Sequence, residues 1–213
     1  MFQRVHHINL AALTAICYDP EPAQIAIDYP ENFSNLKMFL KRQSLTPMQR
    51  KSAVIQIARA MDSLAAARYV HRDLGARNII IHVHNDAEMF LKITHLGLDA
   101  QEPFLGDYCR HRHQLIPLRW LPHEAVFDDE YSTKSDVWMF ACTVWELYHS
   151  AGRPFECHSD DDLLVALRVK TLTWTGTLTA PTGTLTALLE QCWSHDPALR
   201  PSFQQILNAV QCD

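Results

Sequence analysis

One octapeptide, His71-Arg72-Asp73-Leu74-Gly75-Ala76-Arg77-Asn78, gathers an acid that can accept a proton, an amide oxygen that suits a hard cation, and two guanidinium groups. Further along, His95 stands before Leu96-Gly97, and Tyr108 precedes the basic run Arg110-His111-Arg112-His113. Cys109, His111 and His113 invite a zinc reading, but a zinc site needs a second ligand pair at fixed spacing and none follows. The six cysteines are Cys17, Cys109, Cys142, Cys157, Cys192 and Cys212. They are scattered without C-x-x-C spacing, which suits reduced thiols in a cytosolic setting better than a disulfide framework.

The octapeptide matches H-R-D-L-x-x-x-N at every fixed position and so resembles the catalytic loop of protein kinases. Gly75-Ala76-Arg77 resembles the A-A-R insert of tyrosine kinases. The resemblance implies that Asp73 accepts the proton of a substrate hydroxyl, that Arg77 belongs to the same catalytic loop, and that Asn78 holds a metal ion bridging the phosphates. Survival as a structural turn alone is the other reading of the same residues. An Asp-Phe-Gly should then follow, with its Asp on magnesium. Here Leu91-Lys92-Ile93-Thr94 runs into His95-Leu96-Gly97. Magnesium takes oxygen ligands and imidazole suits softer metals, and a protonated His95 repels the ion. The position that should be negative is neutral or positive, so we expect metal handling to be lost and Asp73, Arg77 and Asn78 to be vestigial. On that expectation Asp73→Asn should be nearly neutral for stability.

Elements must position these residues. Thr46 reads as an N-cap, with Pro47 in the first turn and Gln49 closing a capping box. Val54, Ile57, Ala58, Met61, Leu64 and Ala65 then follow at helical spacing, predicting a helix over 47–68. A shorter helix is expected over 36–40. Ile79-Ile80-Ile81 and Met89-Phe90-Leu91 flank a polar stretch and read as a hairpin. Helices are predicted near 133–149, 160–169, 185–193 and 202–210. Asp160-Asp161-Asp162 suits the dipole at the start of the second of these four, and Ser202 with Gln205 caps the last. Gly176-Thr177-Leu178-Thr179-Ala180 recurs unchanged as Gly183-Thr184-Leu185-Thr186-Ala187; no function attaches to this threonine-rich repeat.

The resemblance extends over nearly the whole chain. Ala23 to Ile27 reads as the fifth kinase strand, and Ile27, Asp28 and Tyr29 as the hinge that lines a nucleotide pocket; a plain buried strand fits Ile27 equally. Residues 98–119 correspond to the activation segment. There Tyr108 is either a phosphosite able to pair with Arg72 or a neighbouring Arg, or an ordinary loop tyrosine. Pro117-Leu118-Arg119-Trp120-Leu121-Pro122-His123-Glu124 resembles the tyrosine-kinase segment P-[IV]-[RK]-W-x-x-P-E, with His123 in place of a Pro. The resemblance implies a structural role for Arg72, a buried pair of Glu124 with Arg200, and an Asp136 that accepts backbone N–H bonds from the catalytic loop. Ser132-Thr133-Lys134-Ser135-Asp136-Val137-Trp138 carries the T-K-S-D-V-W signature of tyrosine kinases. A kinase also needs a Gly-rich loop and a Lys over the phosphates. None of the six glycines forms a G-x-G, and the first lysine is Lys37, past the hinge.

Composition is that of a globular domain: 47% hydrophobic and 20% charged over 213 residues. The net charge of -5 leaves no nucleic-acid footprint. No apolar run approaches the length of about 18 residues that spans a membrane, and residues 1–10 do not read as a signal peptide. The expected fold is mainly α, a protein kinase-like C-terminal lobe over 34–213, with a remnant of the N-lobe sheet and hinge over 1–33.

His95-Leu96-Gly97, Pro117-Leu118-Arg119-Trp120 and Tyr131 to Trp138 together resemble the off-track group of receptor-tyrosine-kinase-like pseudokinases. That resemblance implies an inactive signalling scaffold, the cytoplasmic part of a single-pass co-receptor in Wnt or plexin pathways. Its partners would be signalling proteins at the cytoplasmic face of the plasma membrane, with no nucleic acid among them. ATP and magnesium belong to the family but would not bind productively here. The alternative is an active ATP-dependent tyrosine kinase whose N-lobe lies outside this chain.

Overall fold

The computed structural model describes residues 5–18, 24–27, 31–85, 88–94, 104–174 and 183–212. Strands β1 (Leu13–Cys17) and β2 (Gln24–Ile27) pair antiparallel, with a register shift between Leu13 and Ala15. A short β3 (Ser34–Asn35) leads into α1 (Leu36–Arg42), where the Asn35 side chain caps by accepting from the Met38 N–H. Then comes α2 (Pro47–Ala66), the longest helix described. Its capping box is complete: Gln49 N–H donates to Thr46 Oγ1 at 3.2 Å and Thr46 N–H to Gln49 Oε1 at 2.9 Å.

The hairpin expected after the octapeptide is β4 (Ile79–Val83) with β5 (Met89–Ile93), longer than the sequence pattern indicated, and β3 adds to the outside of β4. The N-terminal segment is tied to this sheet. Ala11 N–H donates to Ile93 O and Ile93 N–H to Asn9 O, each at 2.8 Å. The Asn9 amide donates to Leu91 O and to Gln56 Oε1 on α2, and Leu91 N–H donates to the same Gln56 oxygen. Three segments thus share one buried amide junction.

Beyond the sheet, β6 (Cys109–His111) and β7 (Gln114–Ile116) form a tight hairpin. Four more helices follow a short α3 (His123–Phe127): α4 (Thr133–Tyr148), α5 (Asp160–Arg168), α6 (Gly183–Cys192) and α7 (Phe203–Cys212). Their ends lie within two residues of the predicted ones. Helix α4 is buried on nearly every side and forms the centre of the core with Trp120, Trp138 and Phe140. An apolar helix of this kind cannot sit at a surface, so the rest of the chain packs around it. Helix α2 lies against α7 and β5. Among the described residues no helix is long and apolar enough to cross a membrane.

Candidate functional site

The octapeptide leaves α2 and is anchored from below by α4. Asp136, in the first turn of α4, accepts the backbone N–H of His71 on Oδ2 at 2.7 Å and that of Arg72 on Oδ1 at 2.9 Å. These bonds hold Arg72 at φ 71, a left-handed conformation that costs a non-glycine residue energy and needs such restraint. Burial raises the Asp136 carboxyl to about 7, against the two N–H donors that favour its charged form. His71 accepts the Asp73 N–H on Nδ1 at 3.3 Å. Its proton is therefore assigned to Nε2, which donates to Thr94 O at 2.9 Å. Thr94 directly follows β5, and both its N–H and its hydroxyl donate to Asn78 O.

Asp73, Arg77 and Asn78 come together. The Asn78 amide donates to Asp73 O at 2.6 Å. The Arg77 Nη2 pairs with Asp73 Oδ1. The second carboxylate oxygen is taken as well, because the Tyr108 hydroxyl donates to Asp73 Oδ2 at 2.6 Å while accepting from Arg77 Nε at 3.0 Å. Arg77 lies 4.3 Å over the Trp120 ring and 4.9 Å over the Tyr108 ring. Burial alone would lower its pKa, but Asp73, Tyr108, Glu146 and Asp107 outweigh that and raise it. Burial, with Asp73 added, pushes the Tyr108 phenol up to about 12 although Arg77 opposes it. Tyr108 thus remains a hydrogen-bond donor at any physiological pH.

Two groups that sequence reasoning missed complete this site. Glu146, wholly buried on α4, accepts Ala76 N–H and Trp120 Nε1–H on Oε2, each at 2.9 Å, and its other oxygen has no partner. Burial raises its carboxyl to about 7 despite Lys37, Arg77 and these donors. Lys37 on α1 pairs with Asp107, beside Tyr108, and both are buried. A signal existed for each. Glu146 is a lone acid in the apolar run of α4, and Lys37 shares a buried stripe with Leu36 and Leu40. A buried charge implies a partner.

The remaining site residues lie elsewhere. Arg72 does not meet Tyr108; it lies 5.3 Å over the Tyr131 ring. Glu124 on α3 and Arg200 form a two-pronged pair at 2.5 and 3.1 Å. The His123 ring lies tilted at 51° to that of Phe127, and the side chain approaches Asp128 at 3.7 Å. Asp28, Tyr29 and His95 lie outside the described residues, and of Ile27 only the strand backbone is described.

With this geometry in hand, the sequence profile of the family described as protein tyrosine and serine/threonine kinase matches residues 1–210. The chain belongs to this kinase family. It is similar to the inactive tyrosine-protein kinase 7 of Gallus gallus, 35% identical over 224 residues that cover 99% of this chain. The protein of the same name in Homo sapiens is 32% identical over 223 residues, again 99% of the chain. The tyrosine-protein kinase-like otk of Drosophila mojavensis is 32% identical over 221 residues, 97% of the chain. The chain spans only 20% of the length of each of these three relatives.

The kinase family works with ATP and magnesium. The Asn78 N–H donates to Asp73 O, which leaves its amide oxygen, the atom a hard cation takes. His95, expected at the place of the family's metal acid, lies outside the described residues. Among the described residues no group of three or more His, Cys, Asp or Glu is placed to hold a metal ion.

Proposed function

We propose that this chain is a catalytically inert tyrosine-kinase-like domain, a pseudokinase that acts by binding other proteins. One observation carries the reading. Both carboxylate oxygens of Asp73, the only acid in the octapeptide, are occupied from within the chain by Arg77 and Tyr108, and Asp73 is only 6% exposed. A general base must lie within hydrogen-bond reach of the proton it takes. Here a substrate hydroxyl would have to displace the Tyr108 phenol from Asp73.

The loss of a hard ligand at His95 supports the same reading, and so do the names of the relatives. Residues 34–213 form the C-terminal lobe in this proposal, and residues 1–33 the hinge and a remnant of the N-lobe sheet. By resemblance the domain serves as a scaffold on the cytoplasmic side of a receptor at the plasma membrane. Its partners would be signalling proteins of a Wnt or plexin pathway.

The test is calorimetric titration of the 213-residue chain and of His95→Asp with nucleotide, with and without magnesium, beside a phosphotransfer assay. The wild-type chain is expected to show no magnesium-dependent gain in nucleotide affinity and no transfer. His95→Asp is expected to recover magnesium dependence without transfer. Tyrosine phosphorylation by the unmodified chain would establish an active kinase instead.

A further inference from the structure

Charge is segregated along this chain. The net charge is -5, yet no acid stands between Glu31 and Asp62, while Lys37, Lys41, Arg42, Arg50, Lys51 and Arg59 all fall in that stretch. Lys37 is spent on Asp107. Lys41-Arg42 closes α1 and Arg50-Lys51 lies just inside α2, with Met48 between the two pairs in the first turn of α2. Lys41, Arg42 and Lys51 are exposed, and none of them belongs to an ion pair among the described residues. Met48 is 66% exposed. Met48 and Lys51, three apart, share one face of α2, and the connection from α1 is short.

Fold stability accounts for part of this arrangement. Cations suit the C-terminal end of a helix, so Lys41 and Arg42 stabilise α1. Arg50 lies 5.1 Å over the Tyr148 ring. Lys51 has no such account. It stands near the start of α2, the positive end of the dipole, where acids are favoured. Helix α5 carries Asp160, Asp161 and Asp162 in its first turn, and α2 carries no acid there. Met48 likewise contributes its side chain to solvent and not to the core.

We propose that this corner between α1 and α2 is a membrane-docking surface. Lys41, Arg42 and Lys51 meet anionic phospholipid headgroups, and Met48 dips into the boundary between headgroups and acyl chains. No residue of the octapeptide takes part, so this docking is independent of the inert reading. The composition favours lipid over an acidic peptide. Cations flanking an exposed apolar side chain match a charged headgroup layer above hydrocarbon, whereas a purely acidic peptide uses the cations and leaves Met48 in water. The surplus of acids elsewhere in the chain acts weakly, because exposed charges farther than about 10 Å are largely screened at about 0.1 M salt.

The experiment is co-sedimentation of the 213-residue chain with vesicles of phosphatidylcholine alone, and of phosphatidylcholine carrying phosphatidylserine. Each exposed cation near an anionic surface is worth about fivefold in partitioning, so the three together should favour the anionic vesicles by about a hundredfold. Lys51→Gln should lose about fivefold of that preference, and a triple variant with Lys41→Gln and Arg42→Gln added should lose nearly all of it. Met48→Ser should weaken binding to the anionic vesicles by about tenfold, and Met48→Leu should restore it. Lys170→Gln, an equal change of charge at an exposed residue just past α5, should stay near wild type.

Equal sedimentation of the wild-type chain with both kinds of vesicle overturns the proposal, whatever the variants do. So does a loss in Lys170→Gln as large as that in Lys51→Gln, which would be an effect of net charge and not of this surface. Capture of soluble polyglutamate in preference to the vesicles, with Met48→Ser binding like wild type, would overturn it in favour of an acidic protein partner.

Discussion

Two buried arginines are built alike and used differently. Arg200 and Arg77 are both almost wholly enclosed, both pair with a carboxylate, and both lie over a tryptophan, Trp138 at 5.2 Å and Trp120 at 4.3 Å. Arg200 spends every nitrogen: Nε on Ser194 O, Nη1 on Glu124 and Lys134 O, Nη2 on Glu124. Its partners come from α3, the start of α4 and its own loop, so it staples three segments. Arg77 leaves Nη1 without a partner among the described residues and holds two side chains, Asp73 and Tyr108. A fully satisfied buried charge has no cheaper arrangement to move to. One that is partly satisfied can exchange partners. The first marks architecture, and the second, in the function proposed above, a closed site.

The largest effect should come from breaking the satisfied arginine. Arg200→Ala leaves Glu124, 12% exposed, facing a cavity without its cation. Removing one partner of a buried pair costs about 3–5 kcal/mol, read as a shift of the denaturant midpoint at unchanged slope. A loss below about 1 kcal/mol, the range of surface pairs, would remove the architectural half of the comparison.

The next effect is in pH. A carboxyl whose folded pKa is raised from 4.5 to about 7, as burial does to Glu146, keeps its proton in the folded chain after the unfolded chain has lost it. Its contribution to stability is therefore greatest below the unfolded value, falls as pH rises through that window, and levels off above about 7. The size is about 3 kcal/mol at about 1.4 kcal/mol per unit. Glu146→Gln keeps an oxygen for Ala76 N–H and Trp120 Nε1–H and cannot ionise. Relative to wild type it should gain stability between pH 5 and pH 8, measured by urea unfolding across that range. A pH-independent difference would mean that Glu146 is charged throughout, supported by Lys37 and Arg77.

What the sequence disclosed depended on the range of the interaction. The start of α2 was legible because Thr46, Pro47 and Gln49 settle it among themselves, and Ser202 with Gln205 did the same for α7. Asp136 and the Glu124–Arg200 pair were reachable only through motif resemblance, since the partners are far apart in the chain. Lys37 with Asp107, and Glu146 with Ala76, are as distant and belong to no motif, so only packing reveals them.

At Asp73 the ion pair with Arg77 leads to a different expectation for stability from the one the sequence suggested. A vestigial acid should tolerate Asp73→Asn, but Asp73 neutralises a guanidinium that is 1% exposed. An Asn oxygen can still accept from Arg77, without the charge. The expected loss is about 2 kcal/mol, the range for a hydrogen bond between charged groups. It should be visible as a lowered midpoint in the same denaturation series as Arg200→Ala and should stay smaller than that one. A neutral result would say that Glu146 and Asp107 already balance Arg77, making the ion pair dispensable.

The smallest effect is the most diagnostic. Tyr108→Phe removes one oxygen that stands between Arg77 Nε and Asp73 Oδ2. The ring stays, and with it the cation–π contact at 4.9 Å. The Arg77–Asp73 pair also stays, so the charge is never left alone. What is lost is one phenol that donates to a carboxylate and accepts from a guanidinium, about 1 kcal/mol net. For a chain of this length that is a fall of about 2–4 °C in the thermal midpoint. If Tyr108 is an exchangeable cover, the loss should shrink further in the Arg77→Lys background, because the donor that orders the phenol is gone there. A Tyr108→Phe penalty as large as that of Arg200→Ala, and unchanged by Arg77→Lys, would place Tyr108 with the architectural residues and erase the distinction between the two arginines.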